Sequence, residues 1–244
     1  KNLIDKKILI YGGSSLISLE LIKLFWSENY DFIIFCRNQE LFLKRIKELR
    51  LNPDRFKVHE IDLIKKEENL KIIDNFKHSI NGILWVAGET GDALEEFSNN
   101  SLAKKTIKVN FLNPVLIINR LTKHLLKNEN SFIAVLTSVA GLRGRQKNIF
   151  YGSAKSAMIS YLSGLRQKFN GEFNILTVIP GYIRTEKFKI NAPKFLITSP
   201  KKAAEIIYRA IKSKKQIVYI NFLWRIIMFF LRLFPEKLFK KFKF

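Results

Sequence analysis

Two side chains in the segment YGSAK could together move a proton. Tyr151 and Lys155 are four residues apart, so on a helix the phenol and the ammonium project from the same face. A neighbouring cation favours the tyrosinate and lowers the pKa of a phenol from its usual value of about 10. Tyr151 is therefore a candidate proton donor or acceptor near neutral pH. The spacing alone is common, and an ordinary pair on a helix surface is the alternative.

Further polar side chains stand close to predicted strand and helix ends. Ser138 closes the strand-like segment FIAVLTS, thirteen residues before Tyr151, where its hydroxyl can donate a hydrogen bond to a substrate oxygen. Asn110, in KVNFLNP, lies near a helix that Pro114 is expected to bend or delay. The segment IPGYIRT, residues 179–185, follows another strand-like run, and its Pro-Gly pair is typical of a backbone that approaches another group closely.

Alternating strands and helices are predicted to hold these side chains. Short apolar runs predict strands over residues 7–11, 31–36, 56–61, 82–87, 132–137, 174–179 and 216–220. Apolar spacings of three and four predict helices over 16–26, 41–49, 111–126 and 151–169, and Ser199-Pro200 predicts the start of another that runs to about Lys212. This alternation is typical of an α/β fold with a doubly wound parallel sheet of about seven strands. We expect one domain over residues 1–220 and an amphipathic helical tail over 221–244.

Together these motifs resemble the short-chain dehydrogenase/reductase family of the single-domain type, over about residues 7–220. The resemblance implies a Rossmann-type oxidoreductase that uses a nicotinamide dinucleotide and no metal. It makes Tyr151 the acid/base and Lys155 the residue that binds the nicotinamide ribose and lowers the tyrosine pKa. Ser138 orients the substrate carbonyl, and Asn110 holds a water that links Lys155 to solvent. The residues implied to position the nicotinamide carboxamide are Pro180, Gly181, Ile183 and Thr185.

The phosphate-binding loop implied by this resemblance is YGGSSLIS, residues 11–18. Gly12 takes the place of the first glycine of the family's fingerprint, whereas Leu16 and Ser18 replace the two later ones. Ser14 and Ser15 still offer hydroxyl and backbone N–H donors to a phosphate at a helix N-terminus. Ser18 is small enough for close packing of helix on sheet, but the Leu16 side chain either crowds the pyrophosphate or points aside. The other residues expected at the dinucleotide are Ile17, Ala87 and Gly88.

The segment CRN after the second strand bears on the choice of cofactor. A carboxylate there would accept the ribose hydroxyls and repel a 2′-phosphate, whereas a guanidinium would pair with that phosphate. Arg37 is basic and no acid follows the strand directly, so NADP(H) is favoured, unless Arg37 is simply a solvated loop residue. Asp62, after the third strand, either contacts the adenine amino group, as the resemblance implies, or caps its own loop.

The charge balance indicates anionic partners. The chain carries 43 Lys and Arg against 21 Asp and Glu, a net charge of +22, although a basic surface that serves only solubility is the alternative. No nucleic-acid recognition motif accompanies this charge, so nucleic acid is not expected as a partner. The single cysteine, Cys36, and the absence of a signal-like start predict a cytoplasmic protein.

The tail predicts contact with a membrane surface. Residues 222–234 are apolar except for Arg225 and Arg232, and this segment is too short to span a bilayer. Pro235 should end its helix, and the following lysines alternate with aromatic and aliphatic residues. Such a pattern is typical of a helix that lies in an anionic membrane interface, here the inner face of the cell membrane. A helix that caps the core or covers a dimer partner is the alternative.

The loop GLRGRQKN between Ser138 and Tyr151 bears on the substrate. Arg143 and Arg145 are predicted to bind a substrate phosphate, with a solvated loop as the alternative. With AGETGD, residues 87–92, and the tail, this loop is similar to the decaprenylphosphoryl-2-keto-ribose reductase branch of the family. The resemblance implies a keto-sugar carried by a polyprenyl phosphate.

Two other functions remain open at this point. One is reduction of 3-ketoacyl carrier-protein or other lipid carbonyls. The other is a non-catalytic scaffold that binds the dinucleotide, or nothing, and docks through its basic face and tail. The family resemblance also implies a homodimer or homotetramer through the helices at 111–126 and 151–169.

Overall fold

The structure is a computed structural model that describes residues 6–74, 80–126, 130–185 and 192–241. Its centre is a parallel sheet of seven strands in the order β3-β2-β1-β4-β5-β6-β9. The strands are β1 (Lys7–Tyr11), β2 (Asp31–Cys36), β3 (Phe56–Glu60), β4 (Gly82–Trp85), β5 (Phe132–Leu136), β6 (Asn174–Ile179) and β9 (Ile217–Tyr219). A separate pair joins β7 (Tyr182–Ile183) to β8 (Ile197–Thr198). The predicted doubly wound sheet is confirmed.

Helices cover both faces of the sheet. They are α1 (Leu16–Trp26), α2 (Gln39–Glu48), α3 (Lys66–Asp74), α4 (Ala93–Ser98), α5 (Asn100–Ile107), α6 (Asn113–Leu121), α7 (Ile149–Lys168), α8 (Pro200–Lys212), α9 (Phe222–Leu233) and α10 (Glu236–Phe239). One large apolar cluster joins the sheet to α1, α2 and α8, and a second joins it to α3, α6 and α7. Because both faces are buried, the central strands read as continuous apolar runs.

Aromatic side chains stack across neighbouring strands beneath one end of the sheet. The Tyr11 ring lies 4.4 Å from that of Phe35 and 4.2 Å from that of Trp85, measured between centroids. All three side chains are fully buried. Cross-strand aromatic pairs of this kind stabilise sheets and fix the register of β2, β1 and β4.

The helix predicted over 111–126 differs from the observed structure. A π-helical segment, Lys108–Leu112, leads without a break into α6, which ends at Leu121 and continues as a 3₁₀ turn, Thr122–His124. Pro114 has no amide hydrogen, and its ring would clash with the carbonyl of residue i−4 in a regular helix. The wider π turn before α6 accommodates the proline, so the helical chain continues through it.

Helix α9 packs against the carboxyl end of the sheet. Its buried residues Trp224 and Met228 form a small apolar cluster with Val139 and Ile179. Asn221 caps the helix, since its side chain accepts a hydrogen bond from the Leu223 amide at 3.0 Å. None of the described helices is long and apolar enough to cross a bilayer. The division between residues 1–220 and 221–244 stays a prediction.

Candidate active site

Helix α7 carries the two residues of the proton-transfer motif on its sheet-facing side. Lys155 is only 4% exposed, and its Nζ donates a hydrogen bond to the Leu136 carbonyl at the end of β5, at 3.2 Å. The same Nζ lies 5.6 Å from the centroid of the Tyr151 ring. Burial lowers the pKa of Lys155 to about 8, because the charged form is desolvated.

Ser138 stands between the end of β5 and the start of α7. Its hydroxyl accepts a hydrogen bond from the Ala140 amide at 3.1 Å and so caps the 3₁₀ turn Val139–Gly141. Burial raises the pKa of Tyr151, whereas a hydrogen bond with Ser138 and the positive charge of Arg145 act in the opposite direction. The serine, the tyrosine and the lysine are therefore brought together as the sequence predicts.

Asn110 lies in the π-helical segment and faces the same site. Its Nδ2 donates to the carbonyls of Glu89, at 2.7 Å, and Thr106, at 3.0 Å, while its Oδ1 accepts from the Glu89 amide at 3.2 Å. Gly88 lies between Asn110 and Lys155: a β-carbon added there would be 3.0 Å from Asn110 Oδ1 and 3.2 Å from Lys155 Nζ. The predicted asparagine and lysine thus both lie next to this glycine.

A cavity of about 430 Å³ opens at the carboxyl ends of β1, β2 and β4, beside these residues. Gly12 has φ of +87° and packs on the backbone of Ala87, so that an added β-carbon would lie 2.7 Å from the Ala87 amide nitrogen. The predicted cofactor residues that line the cavity are Gly12, Ser14, Ser15, Arg37, Asp62, Ala87 and Gly88.

The two serines of the loop fit a bound phosphate. Ser15 caps α1 by accepting a hydrogen bond from the Ser18 amide at 3.0 Å. The Ser14 hydroxyl is buried and, within the described residues, has no hydrogen-bond partner of ordinary geometry. A helix N-terminus next to an unpaired hydroxyl is a suitable site for an anionic group. The residues present therefore fit a dinucleotide.

The missing glycines do not block this loop. Leu16 packs against the apolar cluster of α1 and does not line the cavity, so its side chain points aside. Ser18 is fully buried, and its hydroxyl donates to the Gly12 carbonyl at 2.8 Å, which holds the turn closed. Ile17 was expected at the cofactor, but it is 8% exposed, belongs to the same cluster and is absent from the cavity lining.

Basic and acidic side chains line the side of the cavity that lies away from Tyr151 and Lys155. Arg37 is exposed at its edge, as expected. Arg45, on α2, also lines the cavity, and its Nη1 donates to the Ser14 carbonyl. Arg45 was not predicted, although it lies four residues after Leu41, another lining residue, on one face of α2. Asp62 both lines the cavity and caps its own loop, since its Oδ1 accepts from the Ile64 amide at 2.9 Å.

The segment after β6 is arranged around Trp224. Pro180 is buried, and its carbonyl accepts from the Val139 amide at 3.0 Å. A β-carbon added to Gly181 would lie 2.0 Å from Trp224 Nε1, so the tail helix covers this glycine directly. Ile183 lies in β7 and packs on the core, and Thr185 is exposed.

The two loop arginines have different environments. Arg143 does not face the active site: its guanidinium donates to the Phe234 carbonyl at 3.1 Å and to Glu236 Oε2 at 2.7 Å. The prediction that it binds a substrate phosphate is therefore not supported, because its guanidinium is already hydrogen-bonded to two residues of the tail. Arg145 lies near Tyr151, and its Nε is buried and has no hydrogen-bond partner in the described part of the chain. Its role in binding a substrate stays a prediction.

The fold and the site together define an oxidoreductase that uses a nicotinamide dinucleotide. A parallel doubly wound sheet presents a phosphate-binding turn at its carboxyl edge. Beside it stand a tyrosine, a lysine and a serine that can exchange a proton with a substrate oxygen.

The chain belongs to the short-chain dehydrogenase/reductase family, whose model, described as short chain dehydrogenase, matches residues 6–194. It is 25% identical over 235 residues to the uncharacterized oxidoreductase Rv2073c of Mycobacterium tuberculosis, with 94% of each chain covered. The ketoacyl reductase HetN of Nostoc sp. is 30% identical to it over 133 residues. This match covers 51% of this chain and 46% of that relative. A short-chain dehydrogenase from Burkholderia cenocepacia, solved in complex with NADP, has the same fold, with a TM-score of 0.79 at 17% identity over 98% of both chains. The protein is accordingly an NAD(P)-dependent enzyme of this family.

Proposed function

We propose that the protein is an NADPH-dependent carbonyl reductase. The observation that carries this proposal is the arrangement of Tyr151, Ser138 and Lys155 beside a cavity with two arginines at its far side. Bound NADPH would supply a hydride to the carbonyl carbon of the substrate.

The chain's own residues handle the proton and the developing charge. Tyr151 donates its hydroxyl proton to the carbonyl oxygen, and Ser138 donates a hydrogen bond to the same oxygen. Lys155, held by the Leu136 carbonyl, stabilises the tyrosinate that remains, and Arg145 adds a second positive charge on the same side. Asn110 lies within reach of the lysine across Gly88 and is proposed to hold the water that returns a proton to the site.

The preference for NADPH rests on charge. Gly12, Ser14 and Ser15 would hold the pyrophosphate, and Arg37 with Arg45 would pair with the 2′-phosphate. The residues proposed to contact the nicotinamide end are Pro180, Gly181, Ile183 and Thr185, and Asp62 is proposed for the adenine. A titration followed by nicotinamide fluorescence tests this: NADPH should bind in the micromolar range and NADH much more weakly. Equal binding of both would contradict the preference, and binding of neither would favour a scaffold without catalysis.

The proposed substrate is a keto-sugar on a polyprenyl phosphate, used in the synthesis of cell-envelope polysaccharide. Two observations support it: the positive charge of Arg145 beside Tyr151 suits an anionic substrate, and the tail exposes an apolar, basic surface close to the same loops. The resemblance to decaprenylphosphoryl-2-keto-ribose reductases agrees with this choice.

Reduction of 3-ketoacyl carrier-protein or other lipid carbonyls is the second candidate. It is favoured by the relative named a ketoacyl reductase and by a net charge of +22, which suits an acidic carrier protein. Turnover of a polyprenyl-phosphate keto-sugar and of a ketoacyl thioester, measured with NADPH under the same conditions, separates the two. The substrate with the higher kcat/KM identifies the function.

Contact with an anionic membrane is proposed for residues 222–244. Phe222, Phe229, Phe230 and Leu233 are 60–66% exposed on α9. A groove of about 710 Å³ on this helix includes both Arg225 and Arg232 in its lining. Exposed aromatic residues interleaved with cations suit a lipid surface that carries negative charge. With the cytoplasmic location expected from the sequence, we propose that this surface lies at the inner face of the cell membrane.

Vesicle flotation tests the membrane proposal. Vesicles that contain phosphatidylglycerol should retain the protein, whereas vesicles of phosphatidylcholine alone should retain much less. The double variant Phe229→Ser, Phe230→Ser should lose retention, whereas the matched variant Leu94→Ser, Phe97→Ser, on exposed apolar residues of α4, should keep it. Equal retention of both variants would contradict a role for α9.

A homodimer or homotetramer through α6 and α7 is also proposed, as the family resemblance implies. Light scattering of the purified protein measures the subunit number, and a monomer at micromolar concentration would contradict it.

A further inference from the structure

The tail helix is packed against both loops that border the substrate side of the site. The small apolar cluster contains Trp224 and Met228 from α9, Val139 from the turn after Ser138, and Ile179 from the end of β6. Leu142 and Tyr182 pack against this cluster from the same two loops. One helix therefore contacts the segment that carries Ser138 and the segment that follows Pro180.

Trp224 fixes the second of these loops. Its indole Nε1 donates a hydrogen bond to the Leu196 carbonyl at 3.1 Å, and its ring meets the Tyr182 ring edge-on, with centroids 5.1 Å apart. The side chain is 5% exposed and fills the space over Gly181. The three atoms nearest to a β-carbon added at Gly181 all belong to the indole, so its removal would leave a cavity beside this glycine.

Arg143 fixes the first loop. It makes three contacts with the chain that follows α9: to the Phe234 carbonyl at 3.1 Å, to Glu236 Oε2 at 2.7 Å, and over the Phe239 ring at 4.4 Å from the centroid. The arginine side chain is 19% exposed and Glu236 is 77% exposed, so the ion pair alone contributes little. Two hydrogen bonds from the same Nη2, combined with stacking of the guanidinium on Phe239, give the contact its geometry.

We infer that α9 and α10 complete the active site, with Trp224 and Arg143 as positioning residues for the loops that carry Gly181 and Ser138. This inference rests on the proposed reductase function and adds a structural requirement to it. Neither residue lines the cavity at which the phosphates and the adenosine are proposed to bind. Loss of either side chain should therefore misplace Ser138 or the nicotinamide end and leave the affinity for the dinucleotide nearly intact.

Steady-state kinetics of matched variants of the full chain tests the inference. Trp224→Ala and Arg143→Gln should lower kcat on the order of 10²-fold, the usual effect of a displacement of about 1 Å at a reacting centre. The Kd for NADPH should change less than twofold in both. The conservative variants should be milder: Trp224→Phe keeps a ring over Gly181, and Arg143→Lys keeps a cation beside Glu236. The controls are Lys201→Gln and Lys202→Gln, which change exposed side chains of α8 and should retain full kcat on a water-soluble carbonyl.

Hydrogen exchange by mass spectrometry gives a second readout that does not depend on turnover. Peptides over 138–148 and 180–183 should exchange faster in Trp224→Ala and Arg143→Gln, whereas peptides over β1 and α1 should not. Unchanged kcat and unchanged exchange in both variants would overturn the inference and leave the reductase proposal standing. If the wild type reduces no carbonyl while the loop peptides still respond, the proposed function fails and the positioning role remains.

Discussion

Lys155 Nζ and the Tyr151 ring face each other at 5.6 Å on one side of α7, and the lysine is anchored by the Leu136 carbonyl. At this distance a cation interacts favourably with the ring itself as well as with a tyrosinate oxygen. The lysine is nearly fully buried, so its charged form is poorly solvated and its pKa is lowered. The arrangement stabilises a tyrosinate at Tyr151, whereas the ammonium of Lys155 loses its solvation by water.

The burial of Lys155 should make stability depend on pH in a specific window. Its pKa is lowered from 10.5 to about 8, so between these values the unfolded chain binds more protons and unfolding becomes less favourable as pH rises. Tyr151 has a raised pKa and opposes this gain only above the usual tyrosine pKa of about 10. From pH 8 to 10 the buried lysine loses its proton, and the free energy of unfolding should therefore rise by about 2–3 kcal/mol.

Urea unfolding of wild type and Lys155→Met at several pH values measures this contribution. In the difference between the two unfolding free energies, the contributions of groups that titrate in the same way in both proteins cancel. It should be flat below pH 8 and should change in favour of the wild type as pH approaches 10. A difference that stays constant across this range would show that Lys155 titrates normally.

Removal of the Tyr151 hydroxyl should abolish most of the turnover. Tyr151→Phe should lower kcat by roughly 10²–10⁴-fold, the usual contribution of a positioned proton donor. Tyr161→Phe is the matched control on the same helix, because its hydroxyl donates to Asn119 Oδ1 at 2.7 Å, away from the site. NADPH oxidation in the presence of a carbonyl substrate is the measurement. A Tyr151→Phe enzyme at the wild-type rate would exclude this tyrosine as the acid.

Arg37 and Arg45 should affect cofactor binding in different ways. Arg37→Gln removes only an exposed charge at the cavity edge, so we expect NADPH to bind roughly 10- to 100-fold more weakly and NADH to be unaffected. Arg45→Gln also removes the donor to the Ser14 carbonyl, so the affinity for both dinucleotides should fall. Lys44→Gln, on the exposed side of α2, is the control, and fluorescence titration gives each Kd. Identical profiles for both arginine variants would refute the distinction.

Alanine substitutions at two glycines with positive φ should distinguish the stability cost of backbone strain from that of a steric clash. Gly171→Ala has open space around the new β-carbon, so it should cost only about 1–2 kcal/mol for its φ of +81°. Gly12→Ala pays a similar cost at φ of +87° and also places a carbon 2.7 Å from the Ala87 nitrogen. It should be less stable than Gly171→Ala and should bind no dinucleotide. Denaturant titrations and cofactor titrations of both variants check this, and equal stabilities would mean that the Ala87 backbone yields freely.

Much of the fold can be predicted because its strands are buried on both faces. Four of the seven strands of the sheet were predicted too long by one or two residues at their carboxyl ends, and the last also by one at its start. Val86 and Ala87 show the reason: both amides still donate to the Tyr11 carbonyl, at 2.9 and 3.0 Å, but the chain then turns toward the cavity instead of pairing with β5. Apolar composition continues beyond the point where pairing ends, so it cannot locate that point.

The residues of the site also differ in how far they can be predicted, because some depend on local sequence and others on contacts between distant segments. Tyr151 and Lys155 are recognisable because their spacing is local, and Ser138 because it follows a strand. The partners of Arg143 lie 91 and 93 residues further along the chain, and no periodicity connects them. The contact of Arg45 on α2 with Ser14, in the loop before α1, spans 31 residues and cannot be predicted for the same reason. Contacts between distant segments depend on tertiary packing, which the sequence pattern does not display.

The packing of α8 on α1 has a consequence for the synthesis of the chain. Glu28, just after α1, accepts hydrogen bonds from Tyr208 and from Lys212 Nζ at 2.6 Å, 180 and 184 residues away. Phe25 also meets the Tyr208 ring, with centroids 5.1 Å apart. At roughly 5–20 residues per second, the ribosome needs on the order of ten to forty seconds to make the helix that covers this surface. During that time the nascent chain carries an apolar helix without its cover, so chaperone binding and fast translation should favour its yield.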